Sequence, residues 1–318
     1  MHMKMFFLLF FFALPFVMAD LQVGFYKPTC PQAESIVRQV VQNEFTGDRS
    51  ITAALLRMHF HDCFVSGCDA SILIDSTNKK PSEKEAGPNQ TVRGYEVIDK
   101  AKKRLEDACP STVSCADIIT LAVRDAVALA GGPNYTVATG RRDGLESSPS
   151  KVILPGPEIS VSGALQMFSA KGMTGNEMVT LLGAHTVGVA HCFFFNDRLS
   201  SPDPTMDPAL VAKLKKTCAG NDEATAFLDQ SRTPFTIDNQ YYKQILLRRG
   251  ILQIDQELAL DNSTSRIVSG FASNGIGFRQ SFAKAMIKLG NLQVLVGKAG
   301  EIRNNCRAFN LANRKAAN

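Results

Sequence analysis

The feature that most constrains this chain is a set of eight cysteines, all downstream of an apolar N-terminal run. They are Cys30, Cys63, Cys68, Cys109, Cys115, Cys192, Cys218 and Cys306. An even number of cysteines in an exported chain is typical of a disulfide framework, although the sequence alone does not select one pairing. No Cys-x-x-Cys pair is present, which argues against a zinc ribbon or a thioredoxin-like site.

The N-terminal segment predicts export. Lys4 precedes an apolar run from Met5 to Met18 that is rich in Phe and Leu. The run is shorter than the roughly 20 residues that a membrane-spanning helix needs, so an uncleaved anchor is the weaker interpretation. Val17-Met18-Ala19 supplies small residues for cleavage. We therefore expect residues 1–19 to be a signal peptide and residues 20–318 to form a single domain of a secreted protein.

Composition excludes several classes of protein. Apolar residues make up 45% and charged residues 20% of the chain, as in a folded protein and not in a disordered one. The net charge of +5 is dispersed without a dense basic stripe, so we expect no nucleic-acid partner. A mildly basic surface favours an acidic partner such as cell-wall polysaccharide. We expect no membrane partner and a monomer.

The hydrophobic pattern is mostly helical, and strand signals are few and short. Helices are predicted from Pro31 to Phe45, from Ile51 to about His61 with Ser50 as cap, from Cys115 to Leu129, after the capping box Thr174-x-x-Glu177, and from Gln280 to Leu289. The segment from Ser200 to Thr217 is largely polar. No linker divides the chain, so we predict a mainly α-helical fold with helices on either side of a buried site.

The densest group of chemistry-bearing residues is Arg57-Met58-His59-Phe60-His61-Asp62-Cys63. On a helix, Arg57 and His61 share one face because they are four residues apart. A fixed cation beside an imidazole suits chemistry that moves a proton while negative charge develops nearby. The alternative is a helix-end histidine beside a surface arginine. A zinc site at His59 and His61 is a weaker hypothesis, because their side chains diverge and a third ligand is missing.

Two further segments carry candidate ligands. Asp62, Asp69 and Ser71 place two carboxylates and a hydroxyl around a turn at Gly67, which suits Ca²⁺, with a solvated acidic turn as the alternative. His185 lies at the end of an apolar helix, where it either packs in the core or ligates a metal such as iron.

Together these motifs resemble the class III secretory plant peroxidases. The first is Arg-x-x-Phe-His-Asp-Cys-Phe-Val-x-Gly-Cys-Asp-Ala-Ser, from Arg57 to Ser71, and the second is Gly-Ala-His-Thr-Val-Gly around His185. The resemblance runs from Gln22 to about Asn310. It implies a haem-peroxidase-like helical fold with one haem b between a distal half (about 20–150) and a proximal half (about 151–318). The implied activity reduces hydrogen peroxide to water while phenolic donors lose single electrons.

The resemblance implies a role for each residue near the haem. His61 corresponds to the distal base that takes a proton from peroxide and returns it to the leaving oxygen, and Arg57 stabilises charge as the O–O bond breaks. Asn89 fixes the tautomer of His61, and Glu83 links this network to the calcium loop. On the other side, the implied set is His185 as the iron ligand and Asp255 as its hydrogen-bond acceptor. Pro155 corresponds to the residue whose carbonyl meets phenolic donors at the haem edge.

Two calcium ions are also implied by the resemblance. The distal ligands are Asp62, Val65, Gly67, Asp69 and Ser71, with Val65 and Gly67 acting through backbone carbonyls. The proximal ligands are Thr186, Asp229, Thr233, Thr236 and Asp238. The spacing from Asp229 to Thr233 is one residue longer than the usual family pattern, which makes Asp229 the least secure of these ligands.

The implied disulfides are Cys30–Cys109, Cys63–Cys68, Cys115–Cys306 and Cys192–Cys218, and the resemblance also implies a buried Asp117–Arg141 ion pair. The sequons at Asn134 and Asn262 predict glycosylation, whereas Asn89 also fits the sequon but should face His61 and stay bare.

Two other functions compete with the peroxidase hypothesis. A secreted binding module that kept the fold and lost the chemistry should lack Arg57, His61 or His185, and all three are present. A secreted hydrolase is disfavoured because no Gly-x-Ser-x-Gly elbow occurs. The sequence does not identify the electron donor, and it does not distinguish the extracellular space or cell wall from the vacuole.

Overall fold

The computed structural model describes residues 21–201 and 203–310, so the expected signal peptide at residues 1–19 lies outside the described residues. Within those ranges the chain forms twelve α-helices, several short 3-10 turns and four strands of two or three residues. The predicted mainly α-helical fold class is confirmed. In the same ranges, no helix is both long enough and apolar enough to cross a membrane.

The helices are numbered in chain order. They are α1 (Ala33–Gly47), α2 (Ile51–Val65), α3 (Tyr95–Ala108), α4 (Cys115–Leu129), α5 (Val161–Ala170), α6 (Gly175–Leu182), α7 (Asn196–Ser200), α8 (Pro208–Thr217), α9 (Gln240–Leu246), α10 (Gln253–Leu260), α11 (Ser265–Ser273) and α12 (Gly275–Gly290). Two antiparallel pairs of strands complete the fold: β1 (Gln22–Val23) with β2 (Ala138–Thr139), and β3 (Val189–His191) with β4 (Thr225–Phe227).

Local capping explains why two helices begin where the sequence predicts. Ser114 accepts a hydrogen bond from the backbone N–H of Asp117 at 3.1 Å, and α4 then runs to Leu129 as predicted. The capping box at Thr174 and Glu177 forms in both directions and starts α6. Each cap satisfies backbone donors that have no partner within the helix.

The start of α2 differs from the prediction. Ser50 does not cap the helix with its side chain. Ser50 has helical backbone angles (φ −71°, ψ −9°), whereas a capping residue is extended. Its N–H and hydroxyl instead donate to Asp48 Oδ1 at 2.8 and 2.5 Å. The helix also continues past His61 to Val65. This extension places Asp62 on the helix itself, one residue after the candidate distal base.

The polar segment before Cys218 contains a helix that the sequence analysis did not predict. Asp207 accepts a hydrogen bond from Leu210 N at 2.8 Å, and Pro208 occupies the first turn of α8. Leu210 and Leu214 are buried on one face. The signal was a proline after an aspartate followed by leucines four residues apart, but the surrounding lysines and polar residues outweighed it.

Helices of the N-terminal half surround α4, which is buried along most of its length and packs against α1, α2 and α3. In the C-terminal half, α12 packs against α6 and α11, and it also reaches α2. The Asp117–Arg141 ion pair lies in the core, with 2.7 Å between Oδ1 and Nη1. This arrangement brings α2, which carries His61, against the segment after α6, which carries His185.

Four disulfides join the helices and loops. They pair Cys30 with Cys109, Cys63 with Cys68, Cys115 with Cys306, and Cys192 with Cys218, which are the pairs implied by the resemblance. The Cys63–Cys68 bond closes the short loop after α2, so the loop that carries the candidate calcium ligands is fixed to the helix that carries His61.

Candidate active site

The first half of the site is a pair of side chains one turn apart on α2. Arg57 Nε donates to His61 Nε2 at 3.4 Å, and the imidazole is only 8% exposed. The other guanidinium nitrogens are anchored to the loop before α3. Nη2 donates to the carbonyl of Pro88 at 2.8 Å, and Nη1 donates to the carbonyl and hydroxyl of Thr91 at 3.1 and 2.9 Å. The cation is therefore held in place beside the imidazole.

The side-chain amide of Asn89 lies against the other nitrogen of the His61 ring. The distance from His61 Nδ1 to Asn89 Oδ1 is 2.7 Å, and Asn89 Nδ2 donates to the backbone carbonyl of Glu83 at 2.8 Å. Because the Asn89 amide nitrogen donates to Glu83, the amide oxygen faces the ring and accepts a hydrogen bond from Nδ1–H. Nε2 then carries the lone pair, which is consistent with the hydrogen bond from Arg57.

The surroundings of His61 favour the neutral ring. Burial and then the nearby charge of Arg57 lower its pKa to about 4, and the hydrogen bond to Asn89 opposes this shift only in part. A buried neutral imidazole whose Nε2 carries the lone pair can act as a base at neutral pH.

The second half of the site is built on His185, which follows α6 in a short 3-10 turn. Its Nδ1 lies 2.8 Å from Oδ1 of Asp255, a residue of α10 that is 1% exposed. Burial lowers the pKa of His185, and the Asp255 carboxylate raises it by more, so that it lies above its usual value. The carboxylate therefore makes the imidazole more electron-donating.

The two halves lie close to each other. Gly188 approaches α2 so closely that an added Cβ would lie 2.9 Å from Ala53 Cβ. The charge of Arg57 also reaches His185, since it opposes the effect of Asp255 on the pKa of the ring. Neighbouring residues surround His185, yet 29% of its side-chain surface is accessible.

These residues fit a haem. Since Nδ1 of His185 donates to Asp255, Nε2 has a lone pair, and it makes no hydrogen bond to the residues that the structure describes. A neutral imidazole with a carboxylate behind it is a donor suited to iron. The nearby Arg57–His61 pair supplies a base and a cation, which suits proton transfer on a bound peroxide.

The candidate distal calcium loop fits a cation. Asp62 is fully buried; its Oδ2 accepts from Ala70 N at 3.1 Å, while Oδ1 has no hydrogen-bond partner among the described residues. Burial, followed by the charges of Asp69 and Glu83, raises the pKa of Asp62 well above its usual value. A divalent cation would relieve this repulsion and would satisfy the orphaned oxygen.

The other candidate ligand atoms at the distal loop are backbone and hydroxyl oxygens. Nowhere in residues 21–201 and 203–310 do three or more His, Cys, Asp or Glu side chains form a metal-binding group by themselves. A cation here would need hydroxyl and carbonyl oxygens as well, which are ligands that Ca²⁺ accepts. Ser71 is fully buried, but the Val65 carbonyl accepts a hydrogen bond from Lys171 Nζ at 2.9 Å. Lys171 therefore competes for one of the expected ligands.

The proximal candidates also lie together. Thr186 Oγ1 donates to Asp238 Oδ1 at 3.1 Å and reaches the Thr236 carbonyl at 3.4 Å, and Thr233 Oγ1 donates to Asp238 Oδ2 at 2.8 Å. Asp229 joins the group through Ser231, whose hydroxyl lies 2.6 Å from Asp229 Oδ2 and 3.0 Å from Thr233 Oγ1. The longer spacing thus places a serine hydroxyl between Asp229 and the other ligands.

The remaining candidates lie outside this centre. Pro155 is half-buried on a loop fixed to α10, because Ile254 N donates to the Pro157 carbonyl at 3.1 Å. Asn134 and Asn262 are exposed, whereas Asn89 is buried.

Sequence reasoning did not find several residues that contact the candidate site residues. Among them are Thr91, Lys171, Ser231 and Tyr241. Ser231 left a signal, as the extra residue in the Asp229–Thr233 spacing. Thr91 lies two residues after Asn89, but nothing in the sequence indicates its contact with Arg57. Lys171 and Tyr241 reach the site from distant parts of the chain, and their local sequence gives no indication of it.

An imidazole–carboxylate pair close to an arginine–histidine pair, in a mainly helical fold, is the arrangement of a haem peroxidase. Comparison with known proteins agrees, because the peroxidase family model matches residues 37–274. Peroxidase 44 and Peroxidase 57 of Arabidopsis thaliana are 59% and 58% identical over 96% and 95% of this chain and 97% of each relative. Peroxidase 5 of Vitis vinifera is 46% identical over 92% of both chains.

The chain therefore belongs to the peroxidase family and is a class III haem peroxidase that acts on hydrogen peroxide and small-molecule donors. The enzyme hypothesis is confirmed over the binding module and the hydrolase.

Proposed function

We propose that this chain is a secreted peroxidase that binds one haem b through His185 and oxidises phenolic donors in one-electron steps, with residues 20–318 as one domain. The observation that carries the proposal is the His185–Asp255 pair close to Arg57, His61 and Asn89. When bound, the haem supplies the iron at which peroxide is cleaved and the oxidising equivalents that donors then reduce.

His61 acts as the distal base and then as the acid. Its Nδ1 proton is committed to Asn89, so Nε2 takes a proton from hydrogen peroxide. The same nitrogen returns that proton to the leaving oxygen, which departs as water and not as hydroxide. Proton transfer by a positioned side chain contributes about 10²- to 10⁴-fold in rate.

Arg57 stabilises the negative charge that develops on the leaving oxygen. The bonds to Pro88 and Thr91 hold the guanidinium in place before the reaction, so little reorganisation is needed when the charge appears. Asp255 acts on the other side. It accepts a hydrogen bond from Nδ1–H of His185 and so strengthens Nε2 as an electron donor toward iron.

Pro155 would meet the phenolic donor. Its loop is fixed to the helix that carries Asp255, so its carbonyl keeps a defined position near the proximal side. A backbone carbonyl there can accept the hydrogen bond of a phenol hydroxyl while the donor loses an electron.

The four disulfides favour an oxidising compartment, either the extracellular space and cell wall or the vacuole. The net charge of +5 favours contact with acidic cell-wall polysaccharide, and we expect a monomer without membrane or nucleic-acid partners.

Two Ca²⁺ ions would support the two sides of the site. The distal ion would bind Asp62, next to His61, and the proximal ion would bind Thr186, next to His185. Support comes from the orphaned Asp62 Oδ1 on one side and from the joined oxygens of Thr186, Thr233 and Asp238 on the other.

The test uses the purified, haem-loaded protein. We expect a Soret band that shifts when hydrogen peroxide is added and returns when a simple phenol is supplied. His185→Ala should lose the band or alter it strongly. His191→Ala is the matched control, because the two histidine side chains are similarly accessible (29% and 28%) but His191 Nδ1 bonds to the Glu223 carbonyl instead. A His185→Ala protein with the wild-type spectrum would overturn the assignment.

A further inference from the structure

Tyr241, in α9, makes a contact that the proposed mechanism does not use. Its hydroxyl donates to Asp255 Oδ1 at 2.8 Å, and the same oxygen accepts the hydrogen bond from His185 Nδ1 at 2.8 Å. Tyr241 and Asp255 are each 1% exposed, so water does not replace either bond. One carboxylate oxygen therefore serves two donors in a dry environment.

The position of Tyr241 is fixed from several sides. Its ring meets the His185 ring edge-on, with 6.1 Å between centroids and an interplanar angle of 86°. It also packs edge-on against Tyr242, 5.1 Å away. Gln240 N donates to Asp238 Oδ1 at 2.8 Å, which anchors the start of α9 to the proximal oxygen group. The hydroxyl keeps its proton, because burial and the Asp255 charge hold the pKa of Tyr241 well above its usual value.

Two donors on one oxygen share its negative charge. A hydrogen bond to a charged acceptor is stronger than one between neutral groups, and it is stronger still in a site without water. The bond from Tyr241 withdraws charge from Oδ1 that would otherwise act on His185 Nδ1. It also restrains the carboxylate in the orientation that meets the ring.

We propose that Tyr241 is a positioning residue of the proximal side, which limits how strongly Asp255 polarises His185 and so sets the electron-donating strength of Nε2. This inference rests on the proposed role of His185 as the iron ligand. Hydrogen bonding around an axial ligand is one of the means by which a protein sets the reduction potential of a haem.

Removal of the hydroxyl has a defined direction of effect. In Tyr241→Phe, Asp255 acts on His185 alone, and the ring gains imidazolate character. A more electron-donating ligand stabilises ferric over ferrous iron, so the Fe(III)/Fe(II) midpoint potential becomes more negative. The iron–histidine stretching frequency of the ferrous protein should rise for the same reason.

Tyr242→Phe is the matched control. Tyr242 is the next residue, is also fully buried and also loses its hydroxyl contacts, but its partners are the Val179 and Thr180 carbonyls at 3.0 and 3.4 Å. Spectroelectrochemistry and resonance Raman spectroscopy of the haem-loaded variants provide the readouts, with thermal unfolding to compare stability. We expect the shift in Tyr241→Phe and none in Tyr242→Phe, even if both variants lose the same stability.

Asp255→Asn separates this inference from the proposed function. If the potential moves in Asp255→Asn but not in Tyr241→Phe, Tyr241 has no positioning role, and the proximal assignment stands. If Asp255→Asn leaves the potential and spectrum unchanged, the proposed His185–Asp255 pair is itself wrong. The Tyr241→Phe shift should also disappear when the substitution is made in the Asp255→Asn protein, and a shift that persists there would contradict the shared-oxygen explanation.

Discussion

At the scale of single residues, the environment of His61 determines the pH range in which the enzyme can take up a proton. Burial and the charge of Arg57 lower the pKa of this ring to about 4. The neutral form is needed, so the reaction with peroxide should be independent of pH above that value. Below it, the rate should fall by about tenfold per pH unit as the ring becomes protonated. Stopped-flow rates between acid and neutral pH measure this fall, which is the acid limb of the pH profile.

The same environment predicts the effect of Arg57 on the pH profile. Because the Arg57 charge lowers the pKa of His61, Arg57→Gln should raise that pKa and move the acid limb to higher pH. The plateau rate should fall as well, because the stabilising charge is lost. An acid limb that stays in place would show that another group controls it.

Replacement of the base itself should leave haem binding intact. His61→Ala should retain the Soret band but react with peroxide at least about 10²- to 10⁴-fold more slowly, since general acid–base catalysis is lost. His59→Gln is the control on the same helix. His59 is buried on another face and lies 3.5 Å from Cys63 Sγ. The hypothesis fails if the His61 variant reacts as fast as wild type.

The asparagines of the three sequons differ in their exposure to solvent. Asn134 and Asn262 are exposed, and we expect a glycan on each when the protein is made in a secretory plant host. Asn89 is 2% exposed and bonded to His61, so it should be bare. Peptide mass spectrometry of the plant-made protein decides each site. A glycan on Asn89 would be incompatible with its role beside His61.

At the scale of elements, the loop after α2 depends on one glycine. Gly67 has φ +102°, and an added Cβ would lie 2.4 Å from the Gln293 carbonyl oxygen. Gly67→Ala should destabilise the protein by about 1–3 kcal/mol, the usual cost of a strained backbone. Gly47→Ala, at the end of α1, meets nothing within 4 Å and should be nearly neutral. Thermal unfolding of both variants tests this, and equal midpoints would refute the strain argument.

Elements with local signals could be predicted, and those without them could not. The caps at Ser114 and Thr174 involve residues three positions apart, so the sequence shows both partners. The pairing of Arg57 with His61 is equally local. Ser50 shows the limit, because its backbone angles are helical, and its hydroxyl donates to Asp48 instead of accepting from the helix. The helix α8 was missed because polar residues hide its two buried leucines.

At the scale of the whole molecule, the site is assembled from segments far apart in the chain. His61 and Asn89 are 28 residues apart, and His185 and Asp255 are 70 apart. No periodicity or spacing connects such partners, so only the family resemblance predicted them. Tyr241 and Lys171 were outside even that prediction, because their contacts arise from the packing of α9 on α10 and of α5 beside α2.

The two candidate calcium sites differ in how the whole fold encloses them. On the distal side, Asp62 and Ser71 are fully buried, and the Cys63–Cys68 disulfide closes the loop. On the proximal side, Thr233 and Asp238 are partly exposed and lie on a longer loop. We therefore expect EDTA to remove the proximal ion first, because calcium sites depend on ligand number and rigidity.

Loss of the proximal ion should lower thermal stability by mass action and shift the haem spin state before activity is fully lost, because Thr186 adjoins His185. Metal analysis during the EDTA titration, read alongside the visible spectrum, measures both steps. Asp238→Asn should abolish the early calcium loss, which we assign to the proximal site. Asp69→Asn should abolish the later calcium loss, which we assign to the distal site. A protein that holds no calcium, or one whose stability and spectrum are unchanged after full removal, would show that these oxygens are not calcium ligands.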